Sequence, residues 1–69
     1  MDTNKKEIMK DEAKAIILNI FGPLSAQKVD SFDDSNPKAF LDKCRTIISD
    51  TLGDAEGNKL FEPLYKKYS

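Results

Sequence analysis

At 69 residues, with one cysteine and no histidine, the chain has room for a single core, no intrachain disulfide, and none of the commonest metal ligand. Eleven basic residues against twelve acidic ones give a net charge of −1, interspersed as on a solvated surface, which argues against a strongly basic face for phosphate backbones. Stability in so short a chain must come from good helix packing or from self-association.

The first predicted helix covers residues 5–21. Asn4 three residues before Glu7 fits a capping box, and Met9, Ala13, Ile16, Ile17 and Ile20 recur at three- and four-residue steps as a core stripe. Toward its end Ile16, Ile20, Ile17 and Phe21 span about 140° at roughly 100° per residue. Leu18 falls outside that sector, either as a lone exposed leucine or as part of a subunit contact. The run "AIILNIF" is too short to cross a bilayer and follows Asp11 and Glu12, so neither a membrane span nor a signal peptide is expected.

Gly22-Pro23 breaks the pattern. Pro23 inside a continuing helix would cost ~3 kcal/mol through a lost hydrogen bond and a clash with the Asn19 carbonyl. The cheaper arrangement puts Gly22 at a corner and Pro23 at the first position of a short helix, about 23–31, with Leu24, Val29 and Phe32 inward.

"DSFDDSN" reads as a loop, and Asn36-Pro37 as a helix start with Asn36 as N-cap. The third helix carries the clearest periodicity: Phe40, Leu41, Cys44, Ile47, Ile48, Thr51 and Leu52 on one face, with Asp42, Lys43, Arg45, Ser49 and Asp50 on the other. Gly53 ends it. Asp54 reads as the N-cap of a fourth helix, 55 to about 67, with Gly57, Leu60, Phe61, Leu64 and Tyr68 inward and Tyr65 at the edge. Pro63 predicts a kink or break near 59–63. Gly57 on an inward face points to close approach of the first or third helix, or to a notch for a partner side chain. No segment alternates with period two, so the expected fold is all-α: one domain over 1–69, a bundle of three main helices plus a short one after Gly22-Pro23.

Few residues invite chemistry. Cys44, central in the third helix and without a histidine to act as base, reads as a buried structural thiol. Asp30, Asp33 and Asp34 lack the ligand spacing of a calcium loop, so no metal or cofactor is expected. Lys6, Lys10 and Lys14 form a short basic stripe that suits nucleic acid, but Glu7 and Asp11 beside it weaken its field, and a membrane surface is disfavoured for the same reason. No phosphate loop or nucleophile motif occurs, so the chain reads as a non-enzyme.

The order "FGPLS", a short helix, "NP", "FLDKCRTII" and "DAEGNKLFEPL" resembles a small helical module attached to prokaryotic signalling proteins such as kinases and regulators. The likeness covers about residues 13–64, with Gly22-Pro23-Leu24-Ser25 its most specific element. It implies an interaction or regulatory accessory without chemistry of its own. The function expected is thus a cytoplasmic protein-interaction module, self-associating as a homodimer through Leu18, Phe21 and Leu24, with Phe61, Tyr65 and Tyr68 beside them. A small nucleic-acid-binding regulator using Lys6, Lys10 and Lys14 is the alternative.

Overall fold

Four helices follow one another in the computed structural model, which describes residues 3–68: α1 (Thr3–Phe21), α2 (Pro23–Val29), α3 (Pro37–Leu52) and α4 (Asp54–Tyr68). There is no strand among the described residues. The all-α architecture follows from apolar spacing that matches the helical period throughout.

Two glycines organise the chain. Gly22 has φ 90° and ψ −179°, and Gly53 has φ 96° and ψ 159°, a backbone region open essentially to glycine alone. Each serves two helices at once. The Gly22 N–H donates to the Leu18 carbonyl at 3.0 Å, closing α1, while its carbonyl accepts from Ala26 N–H at 3.3 Å, opening α2. Gly53 repeats the device, donating to Ser49 O at 2.9 Å and accepting from Gly57 N–H at 3.1 Å. A single residue therefore reverses the chain at each corner and satisfies end groups that would otherwise be orphaned. The result is two helical hairpins, α1–α2 and α3–α4, with α1 also packed on α3 and α4.

The core joins them. Met9, Ala13 and Ile17 of α1, Ala26 and Val29 of α2, Phe40, Leu41, Cys44 and Ile48 of α3, and Phe61 and Leu64 of α4 form one buried cluster, flanked by half-buried Ile16, Ile20, Phe21, Phe32, Ile47, Leu60, Tyr65 and Tyr68. The start of α3 is as expected: Asn36 is extended (φ −118°, ψ 111°) and its side chain accepts from Ala39 N–H at 3.2 Å, with Pro37 in the first turn.

Several expectations are corrected. Helix α1 already runs at Thr3, so Asn4 lies inside its first turn and the Asn4–Glu7 capping box does not start it. Helix α2 stops at Val29, and the chain winds on through Phe32 in tighter i→i−3 turns. Leu24 is exposed, not inward, because Ala26 and Val29 are the α2 residues turned to the core. Thr51 and Leu52 are exposed as well, since they lie at the Gly53 end of the hairpin. Arg45 and Ser49 do not face away from the protein. They are half-buried against α4, so α3 uses a second, polar stripe for packing. Asp54 is the first residue of α4 and not its cap, a place Gly53 takes.

Pro63 lies inside α4 without ending it. Pro63 and Lys59, whose carbonyl loses its helical donor, both lie on the exposed side of the helix, where an unpartnered carbonyl costs least, while Phe61 and Leu64 on either side of Pro63 are buried in the core.

Candidate functional site

Three surface features follow from this frame, and the first is the outside of the α1–α2 corner. Leu18, four residues before Gly22, is 48% exposed, and Leu24, two residues after it, is 77% exposed. Phe21 between them is half-buried against the core. Pro23 and the positive φ of Gly22 fix this bend, so both leucines are held on a rigid turn. Ile8 (45%) and Leu52 (48%) are the other large aliphatic side chains left exposed among the described residues.

The residues expected beside this corner on α4 are placed otherwise. Phe61 is fully buried and is removed from any partner surface: its ring is part of the core that makes the bundle. Tyr65 and Tyr68 are half-buried, and their hydroxyls engage neighbouring helices. Tyr68 Oη donates to Glu12 Oε1 at 3.0 Å, and Lys67 Nζ lies 3.3 Å from the same oxygen, clasping the end of α4 to α1. Burial, and then the Glu12 carboxylate, push the Tyr68 phenol above its ordinary range. Tyr65 turns to α3.

The second feature is the acidic loop. Lys14 Nζ lies 3.0 Å from both carboxylate oxygens of Asp30, and Lys10 Nζ lies 3.5 Å from Asp34. Asp33 caps its own turn by accepting from Ser35 N–H at 2.9 Å, which, with smaller help from Lys43 and Lys6, holds its carboxyl below the usual range. Lys43 Nζ sits 5.6 Å from the Phe32 ring centroid, anchoring the loop on α3 through a cation–π contact. The stripe Lys6, Lys10, Lys14 is therefore not an open cationic face: two of its three ammonium groups are matched by loop carboxylates. The same pairing engages two of the loop's three carboxylates, and no group of three acidic, cysteine or histidine residues placed to hold a metal occurs among the described residues.

The third feature lies where α3 meets α4, and the sequence pattern did not reveal it. Arg45 Nε donates to Tyr65 Oη at 3.3 Å and Arg45 Nη1 to Asn58 Oδ1 at 3.3 Å. Tyr65 Oη in turn donates to Asp42 Oδ1, and Lys38 Nζ lies 3.6 Å from the other Asp42 oxygen. The Tyr65 bond is the main reason the Asp42 carboxyl is held below its ordinary range. Burial first, and then the Asp42 bond, raise the Tyr65 phenol. A shallow open groove of about 390 Å³ runs beside this network, lined by Asn58, Glu62, Tyr65 and Lys66. Behind it Gly57 allows α4 to approach α3 closely. A Cβ there would fall on Ser49 Oγ and lie 3.3 Å from the Arg45 carbonyl oxygen. The notch at Gly57 is thus filled by α3 itself.

Cys44 is fully buried, and burial pushes its thiol up to about 12, so it stays protonated and unreactive at neutral pH. No helix among the described residues is long and apolar enough to cross a membrane. The chain matches no known family model, no curated protein and no solved structure.

Proposed function

We propose that this protein is a non-catalytic protein-interaction module that associates with a second copy of itself through the α1–α2 corner. The observation that carries this reading is Leu24, 77% exposed on a bend fixed by Gly22 and Pro23, with Leu18 exposed on the preceding turn. A rigid pair of aliphatic side chains loses little conformational freedom on docking and offers apolar area to bury. The protonated, buried Cys44 and the ion-paired loop supply no nucleophile or metal site to set against it. The likeness of Gly22-Pro23-Leu24-Ser25 to accessory modules of signalling proteins supports a regulatory role, and the single cysteine suits the cytoplasm. The nucleic-acid alternative is weakened by the pairing of Lys10 and Lys14 with Asp34 and Asp30.

Sedimentation velocity over a micromolar concentration series tests the proposal. The wild type is expected to show a reversible dimer, and Leu18→Glu and Leu24→Glu to sediment as monomers with unchanged helical circular dichroism. A wild-type monomer at every concentration, unaltered by either substitution, would overturn it.

A further inference from the structure

The outer surface of the first hairpin carries two neighbouring stripes. On α1, Ile8, Asp11, Ala15 and Leu18 are all exposed and fall within about 80° of one another at roughly 100° per residue. They point away from buried Met9, Ala13 and Ile17. On α2, Leu24 and Lys28 are exposed four residues apart, hence on one face, while Ala26 and Val29 face the core. The stripes adjoin, because Lys14, one turn before Leu18, bonds Asp30 just past α2. Neither Asp11 nor Lys28 takes part in the ion pairs found among the described residues. Lys14, the lysine closest after Asp11 on α1, is committed to Asp30. Each chain thus offers an aliphatic side chain beside a carboxylate (Ile8, Asp11) and, toward the corner, an aliphatic side chain beside an ammonium (Leu24, Lys28).

We propose that a second copy lies antiparallel on this surface, about a two-fold axis beside Ala15, so that the corner of each copy seats at Ile8 of the other. A two-fold contact must be self-complementary, residue by residue. Within one chain α2 runs back along α1, as the equal distances of Lys14 and Asp30 from Gly22 show. In the antiparallel pair the partner's α2 therefore runs in the same direction as α1. The partner's Leu24 and Lys28 stand about 6 Å apart along it, and Ile8 and Asp11 about 4.5 Å apart, at 1.5 Å per residue. When the partner's Leu24 covers Ile8, the partner's Lys28 comes level with Asp11, and the two-fold repeats the match. Ala15, the smallest side chain of the stripe, lies where the two α1 helices cross and lets them approach. A contact of corner on corner would instead oppose Lys28 to its own copy and leave Asp11 unmatched, so charge selects the antiparallel arrangement. The inference rests on the reading of the chain as a self-associating module and specifies which surfaces meet.

Sedimentation equilibrium of charge-reversed full chains, alone and mixed, tests it. Asp11→Lys and Lys28→Glu are each expected to weaken the dimer by about tenfold or more, because each homodimer then opposes like charges at two places. An equimolar mixture of these two variants is expected to dimerise about as tightly as wild type, since both contacts then join opposite charges. Ile8→Ser, outside the corner, is expected to weaken the dimer severalfold. All three positions are exposed, and unchanged helical circular dichroism confirms that each variant folds. Charge-reversed variants that dimerise like wild type, or a mixture no tighter than its components, would overturn this packing. Loss of the dimer in Leu24→Glu would then show that the corner reading still stands. A wild type that is monomeric at every concentration would overturn both.

Discussion

Lys14 on α1 and Asp30 just past α2 meet with Nζ 3.0 Å from both carboxylate oxygens, bridging the two arms of the first hairpin. Their side chains are 33% and 57% exposed, so solvent screens the pair and its contribution is of the order of 0.2–1 kcal/mol. Lys14→Gln and Asp30→Asn are each expected to lower unfolding free energy by that amount in urea titrations. The double variant is expected to lose less than the sum of the two, and high salt to shrink the coupling. Strict additivity would show that the pair contributes nothing.

Gly22 and Gly53 offer a cleaner test of backbone strain. Beyond the adjoining residues of the chain, neither has an atom within 4 Å of where a Cβ would sit, so it is the backbone conformation that opposes alanine. Gly22→Ala and Gly53→Ala are each expected to destabilise the fold by about 1–3 kcal/mol. Equal stability of wild type and either variant would mean that the corner relaxes without cost.

At Gly57 two effects compete. Alanine gains about 1 kcal/mol in helix propensity, but the added methyl falls on Ser49 Oγ, and such overpacking costs about 1–3 kcal/mol. Gly57→Ala is expected to be destabilising by about 1 kcal/mol on balance. Ser49 Oγ is buried and finds no hydrogen-bond partner among the described residues, so Ser49→Ala alone is expected to be neutral or stabilising. Combined with Gly57→Ala it is expected to restore most of the loss. A double variant as unstable as Gly57→Ala would place the obstacle at the Arg45 carbonyl instead.

Stability is expected to fall at both ends of the pH scale. Asp42, lowered mainly by the Tyr65 hydrogen bond, and Asp33, lowered by Ser35 N–H, contribute stability that is complete above the usual 3.8 and is lost as pH falls through their depressed values. Tyr65 and Tyr68, raised first by burial, contribute stability that is complete below the usual 10.0 and is lost as pH rises through their elevated values. Urea midpoints across pH check this. Asp42→Asn is expected to flatten the acid limb, and Tyr65→Phe the alkaline one.

The apolar half of the fold is legible in the sequence, and the polar half much less so. Periodicity identifies the fully buried residues Met9, Ala13, Ile17, Phe40, Leu41, Cys44, Ile48 and Phe61, because burial of aliphatic and aromatic side chains is what the helical period records. It is silent on Arg45 and Ser49, which face α4 through a glycine and a tyrosine hydroxyl. Local pattern also misplaces Leu24 and Leu52, whose exposure depends on where each hairpin ends. The lysine stripe and the acidic loop were each readable alone, but their pairing needed the corner geometry. With a one-residue turn at Gly22, Lys14 and Asp30 stand equally far from it on either side, as do Lys10 and Asp34. Ser49 and Gly57 flank Gly53 in the same way. Reflecting the sequence about each glycine therefore recovers these contacts, and places Arg45 opposite the groove-lining stretch of α4.

The one-residue corners also bear on how quickly the chain finds its fold. Each hairpin closes between segments adjacent in sequence, so little loop entropy is lost before packing begins. Only the docking of one hairpin on the other requires distant parts of the chain to meet. Such a predominantly local topology belongs to the class that folds on the microsecond-to-millisecond scale.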